Sequence, residues 1–207
     1  MKLLHIDLET SGLDPEKHGV VQIAGIIDID GEVKETFDIK TQLFQGQLVS
    51  REALGITGLT LEQIRQYQDP QSAYRHLYTT LDKYVDRYDK ADKFYMVGQN
   101  PQFDYQFLDK FFRNAGDQYL YGYIFYQRID LIAISALFQV AGMLKVKNLK
   151  LETVAKAHGI EYKKHDALAD ITTTREIFYR YADAVKTSVF YAEEDDKGEP
   201  TEPKPVG

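Results

Sequence analysis

The chain has no cysteine, which excludes disulfides and thiolate zinc centres. It has no apolar run of the roughly 20 residues that a membrane helix needs, no internal repeat and no signal-peptide pattern, so a soluble, cytoplasmic protein without a membrane partner is expected. Excess positive charge is missing too: the formal net charge of −7 argues at first against a nucleic-acid partner. The charge is unevenly spread, however. Residues 193–207 hold six acids and two lysines, which leaves −3 for the rest of the chain. What is present suits one domain: 207 residues with 43% apolar content can bury a sizeable core over 1–190, followed by an acidic, proline-rich segment, 191–207, expected to be disordered.

Within that domain the informative residues are acids in unusual places. Leu4, Ile6 and Leu8 alternate with His5, Asp7 and Glu9. On an extended strand, alternate side chains take opposite faces, so both carboxylates point the same way and an apolar face is left to pack. Alone, Asp-x-Glu on such a strand is usually a solvated polar face. Asp104 follows Asn100 and Pro101, an N-cap residue and a first-turn residue, and so falls in the first turn of a helix. Phe107, Leu108 and Phe111 at i+3, i+4 and i+7 put Asp104 on the face that wants burial. An unpaired buried carboxylate costs several kcal/mol, so a cation or donors are needed nearby, unless Asp104 merely complements the helix dipole. Asp170 repeats the conflict, sharing a stripe with Thr174, Ile177, Phe178 and Tyr181 on a helix read over 166–185. His165 lies just before that helix, where an imidazole is suited to take a proton near neutral pH.

The rest of the chain reads as an α/β layer architecture with a mixed sheet. Residues 20–29 are β-branched and apolar, Asp30-Gly31 is a strong hairpin signal, and Val33, Phe37 and Ile39 alternate in the returning strand, giving three antiparallel strands with the first. A helix over 71–89, a short strand over 94–97, and helices over 130–144 and 149–158, the last ending at Gly159, complete the pattern.

Taken together, these residues resemble a known family. Ile6-Asp7-Leu8-Glu9-Thr10-Ser11-Gly12-Leu13 is similar to the first motif of the histidine branch of the DEDD 3′→5′ exonucleases, Asn100-x-x-Phe103-Asp104 to the second, and His165-x4-Asp170 to the third. Each motif alone is weak, but the three occur in family order. Thr57-Gly58-Leu59-Thr60 resembles the family's His-Gly-Ile-Thr segment, with Thr57 where His is common. The resemblance implies a ribonuclease H-like fold with Asp7, Glu9, Asp104 and Asp170 as ligands of two Mg²⁺ or Mn²⁺ ions, and His165 as general base. It also implies that Thr10, Gly12 and Leu13 meet the 3′-terminal nucleotide, with Asn100 and Phe103 beside it. The family includes bacterial polymerase proofreading subunits, tRNA-trimming ribonucleases and oligoribonucleases. Thr10 stands where oligoribonucleases usually have Met, which points away from that group. The expected partner is the 3′ end of a single strand, DNA in preference to RNA, with a replication or repair polymerase as a protein partner. An exoribonuclease and a catalytically inactive binding module on the same fold are the alternatives, although such a module would be expected to have lost one of the five residues.

Three features admit two readings. Lys145, Lys147, Lys150, Lys156, Lys163 and Lys164 precede His165 against only Glu152 and Glu161; this is either a solvated face or a phosphate track, with Lys163 and Lys164 the substrate-binding candidates. Tyr119, Tyr121, Tyr123, Phe125 and Tyr126 are core or a sheet edge, or else a stacking surface. Tyr162-x3-Asp166 overlaps the third motif and fits the Tyr-x3-Asp of a sister branch. The apolar stripe favours Asp170, leaving Asp166 as a helix cap, and Asp130 also reads as a cap rather than a metal ligand.

Overall fold

The computed structural model describes residues 1–162 and 166–188. Its centre is a five-stranded mixed sheet in the order β3-β2-β1-β4-β5. Strands β1 (Lys2–Thr10), β2 (Val20–Ile29) and β3 (Glu32–Lys40) form the antiparallel meander, while β4 (Phe94–Gly98) and β5 (Ile124–Asp130) run parallel to β1. The expected α/β class with a mixed sheet is what forms. The segment 191–207 lies outside the described residues, as do Lys163, Lys164 and His165.

Alternation on β1 divides the molecule. Leu4, Ile6 and Leu8 enter the main core with Leu77, Leu81, Phe107, Leu108 and Phe112. The opposite face carries His5, Asp7 and Glu9 beneath α7 (Ala167–Ser188), where Ala24 and Ile26 of β2 pack on Ala167 and Ile171. Asp30 and Gly31 both have positive φ (55° and 88°), the conformation a two-residue hairpin turn needs on a right-twisted ribbon.

The structure departs from the sequence expectations at several points. Phe37 and Ile39 are buried as expected, but Val33 is exposed: the β2–β3 register slips between Ile27 and Asp28, and a bulge turns the side chains beyond it to the other face. Helix α3 (Pro70–Asp82), capped by Asp69, is shorter than the 71–89 expected. The carboxylates of Asp86 and Asp89 accept from the amides of Tyr88 and Ala91, turns that compete with helix, yet Val85 stays buried. Short helices α1 (Arg51–Thr57) and α2 (Leu61–Gln66) were not anticipated, although Thr60 and Gln63 form a capping box at the start of α2. The aromatic stretch is only in part core and edge: Tyr123 is fully buried and Tyr126 is exposed on edge strand β5, while Tyr119 and Tyr121 are exposed in the turn before it. Helices α4 (Pro101–Asn114), α5 (Leu131–Val140) and α6 (Leu151–Ala157) follow the expected order, with α5 ending before Leu144.

Candidate active site

Asp7 and Glu9 project from the same face of β1, opposite Ala24 and Gln22 in the register of β2. Both are half-buried. Asp104 arrives from the other side. Strand β4 ends at Gly98, and Asn100 turns the chain into α4 with a left-handed backbone (φ 63°, ψ 51°), a conformation Asn tolerates better than most residues. Here the sequence reading needs correction: Asn100 occupies the cap position, but its side chain makes no capping bond. Its backbone N–H instead donates to Asp130 Oδ1 at 3.1 Å. Asp130 also caps α5 by accepting from Ile132 N at 2.9 Å, so one carboxylate ties the ends of β4 and β5 together. Pro101 takes the first helical position as expected, and Phe107, Leu108 and Phe111 pull the Asp104 face inward. Asp104 is 4% exposed, and its Oδ1 accepts from Leu8 N of β1 at 3.1 Å.

Asp170 comes from the first turn of α7. Asp166 Oδ1 accepts from Leu168 N (3.1 Å) and Ala169 N (3.2 Å), the capping role expected of it. Tyr162 is the residue that sequence reasoning undervalued. It packs among Val154, Ile177 and Tyr181, and burial, the charge of Asp170 and a hydrogen bond to that carboxylate hold its phenol far above the ordinary tyrosine range. The overlapping Tyr-x3-Asp pattern was the one signal for it; the pattern pairs Tyr162 with Asp166, whereas its hydrogen bond goes to Asp170.

The four carboxylates share one field. Burial raises Asp7 well above the usual carboxylate range, and Asp104, Glu9 and Asp170 raise it further. Glu9 is pushed up to about 7, by burial first and then by Asp170 and Asp166. Asp104 is also pushed up to about 7 by burial, against the pull of its backbone donors and with repulsion from Glu9. Such a set resists ionising unless a cation offsets its charge, and hard divalent cations suit its all-oxygen donors. Among the described residues no three His, Asp or Glu side chains close on one point as a preformed metal cage. Magnesium is commonly held by one or two carboxylates, with water and substrate phosphate filling the remaining positions, so the residues fit that kind of ion rather than a closed structural site.

Around the acids, Thr10 Oγ1 donates to Gly12 O at 2.8 Å and closes the loop that follows β1. The His18 ring lies against Gly12 so closely that a Cβ there would stand 2.3 Å from it. Leu13, beside them, is 80% exposed. Phe103 is half-buried, its ring 4.8 Å from that of Phe107. Lys145, Lys147, Lys150 and Lys156 are exposed.

A family model described as Exonuclease, RNase_T, matches residues 4–178. The PolC-type DNA polymerase III of Thermotoga petrophila is 24% identical over 183 residues, covering 87% of this chain and 12% of that protein. Among solved structures, Escherichia coli exonuclease I in complex with a dT13 oligonucleotide superposes with a TM-score of 0.71 at 21% identity, over 90% of this chain and 41% of that one. A zinc-bound form of the same enzyme with single-stranded DNA gives 0.74 at 22% identity, over 90% and 43%. The chain thus spans less than half the length of these relatives.

Proposed function

The chain belongs to the RNase_T exonuclease family, and from that premise we propose that it hydrolyses single-stranded nucleic acid from the 3′ end, DNA in preference to RNA, releasing nucleoside 5′-monophosphates. The reading rests on one observation: Asp104 of α4 is bonded through Oδ1 to Leu8 N, between Asp7 and Glu9 on β1, and Asp170 of α7 lies in the same electrostatic field, so four acids from three elements are brought together. Two Mg²⁺ or Mn²⁺ ions, when bound, would lower the pKa of a water and offset charge on the attacking and leaving oxygens. Asp7, Glu9, Asp104 and Asp170 would hold them, with water and substrate phosphate filling the remaining positions. His165 accepts the proton of the attacking water. Tyr162 keeps the Asp170 carboxylate oriented through its hydrogen bond.

The backbone of Thr10 and Gly12 meets the terminal 3′-hydroxyl, and Leu13 covers the terminal base; an exposed leucine in the loop that follows β1 gains from such cover. Asn100 and Phe103 flank the same nucleotide. Lys163 and Lys164, with Lys145, Lys147, Lys150 and Lys156, track the phosphates behind it. The DNA preference and an association with a polymerase draw on the relatives, which include a DNA polymerase and an exonuclease bound to DNA oligonucleotides.

The test is digestion of 5′-labelled and 3′-labelled single-stranded DNA, duplex DNA and RNA, with Mg²⁺ and with chelator. Stepwise shortening of single-stranded DNA from the 3′ end, abolished by chelation, is expected. Turnover that survives complete metal removal would overturn the mechanism, and faster loss of RNA would overturn the substrate.

A further inference from the structure

Behind the four acids, on the same face of the sheet, lies a second buried polar group that the reaction does not use. Asp28 of β2 is fully buried, and Arg175 of α7 reaches its Oδ2 with Nε at 2.8 Å and Nη2 at 2.6 Å; Nη2 also donates to Gly31 O at 3.1 Å. Tyr179 stands under the guanidinium, 4.7 Å from its ring centroid, and burial and then Asp28 push its phenol up to about 12. His5 completes the group. Its ring is fully buried against Phe178 and Tyr179, and neither of its nitrogens has a hydrogen-bond partner among the described residues. The cluster joins β1, β2, the β2–β3 turn and α7, and two of those elements carry Asp7, Glu9 and Asp170.

A buried ion pair is weak evidence for stability, because desolvation cancels much of its attraction. Its geometry is what an apolar contact cannot supply. The first turns of α7 rest on the sheet through Ala24, Ile26, Ala167, Leu168 and Ile171, an apolar contact that by itself is non-directional. Sliding a helix by one residue over such a surface moves it about 1.5 Å and turns its side chains by about 100°. The later half of α7 packs on α5 and α6 through Ile177, Tyr181 and Phe138, and on the strand that bears Asp7 through the rings of Phe178 and Tyr179 against His5, apolar contacts that set no fixed direction. Among the described residues, Arg175 is the charged, directional contact between α7 and the sheet near Asp170, joined at Asp28 by the Tyr179 phenol, and the backbone oxygen of Gly31 fixes its fork from a second direction.

We propose that Arg175 is a positioning residue for Asp170: its ion pair with Asp28 sets the register of α7 on the sheet, and with it the place of Asp170 relative to Asp7 and Glu9. The inference rests on the proposed role of these acids in holding divalent cations.

The decisive variant replaces the pair with apolar residues, Asp28→Leu together with Arg175→Met. Such an exchange generally preserves folding, so the melting temperature without metal is expected to stay near that of the parent protein. Mn²⁺ binding, measured by calorimetry without nucleic acid, is expected to weaken by about tenfold or more, the scale on which groups that orient ligands act. The kcat should fall by a similar factor while KM for single-stranded DNA changes little. An unchanged melting temperature with unchanged Mn²⁺ affinity and kcat overturns the proposal and leaves the pair purely structural. Should the double variant fail to fold, Arg175→Lys decides: weakened Mn²⁺ binding in a folded protein supports positioning, and parental Mn²⁺ binding overturns it. A parent protein that neither binds Mn²⁺ nor degrades DNA would instead overturn the functional reading itself.

Discussion

Leu8 N donates to Asp104 Oδ1 at 3.1 Å, so the strand that carries Asp7 and Glu9 holds the helix acid in place with its own backbone. The bond explains how a carboxylate that is 4% exposed is tolerated, and it separates the structural role of Asp104 from its charge.

Asp104→Asn retains an acceptor for Leu8 N and removes the charge. Its melting temperature in chelator is expected to match or exceed that of the parent, while Mg²⁺-dependent turnover falls by about a hundredfold or more, each ~1.4 kcal/mol of lost charge stabilisation being tenfold. Asp104→Ala also strands the amide and should cost about 1–3 kcal/mol of stability, read by denaturant unfolding. Parental turnover in the Asn variant would remove Asp104 from the metal site.

Glu9 and Asp104, both pushed up to about 7, make a prediction about pH. Between the ordinary carboxylate range and about 7 the folded protein holds protons that the unfolded chain has released, so raising pH across that window lowers stability. In chelator, the melting temperature should therefore fall as pH goes from 5 to 8. Mg²⁺ should raise it at pH 8 and do little at pH 5. Carboxylates held low by cations, such as Asp92 beside Lys2, act below this window. His5 and His158, held below the ordinary histidine range by burial, oppose the fall in its lower part, where the raised acids, Asp7 among them, outnumber them. A calorimetric series in which stability rises from pH 5 to 8 in chelator would contradict the shared field of the acids.

His165→Ala is expected to lower kcat by about 10²–10⁴-fold with Mn²⁺ binding kept, the usual worth of a positioned base. Tyr162→Phe removes the hydrogen bond to Asp170 and should weaken Mn²⁺ binding by about tenfold, in line with the ~1.5–3 kcal/mol of a hydrogen bond to a charged group. Single-turnover kinetics and Mn²⁺ calorimetry on both variants separate the two roles. The opposite pattern, with chemistry lost in Tyr162→Phe and kept in His165→Ala, would reverse the identity of the base.

If the lysines track phosphates, each contact contributes about −0.7 to the log–log dependence of binding on salt for single strands. Replacing Lys163 and Lys164 together with alanine should flatten that slope and raise KM more than it lowers kcat. An unchanged slope returns the lysines to the role of a solvated face.

Much of the site was legible in the sequence because the chemistry conflicts with local pattern. Alternation put Asp7 and Glu9 on one face, and helical periodicity put Asp104 and Asp170 among apolar neighbours, where only a cation or strong donors could justify them. The caps at Asp130 and Asp166 and the Asp30-Gly31 turn were legible for a related reason: they are satisfied within a few residues of the chain. The register slip that exposes Val33, the left-handed turn at Asn100 and the early end of α3 were not. Each depends on a partner or a competing local bond that periodicity does not encode.

What the sequence determined alone was the inventory: which acids, on which faces of which elements, in an order that matches a family. The tertiary structure alone decided how those faces meet. Leu8 and Asp104 are 96 residues apart, and Arg175 and Asp28 are 147 apart. A side-chain period describes one element at a time, whereas the distance between two carboxylates, and hence the charge they must share with a cation, is set by how helices and strands pack against each other.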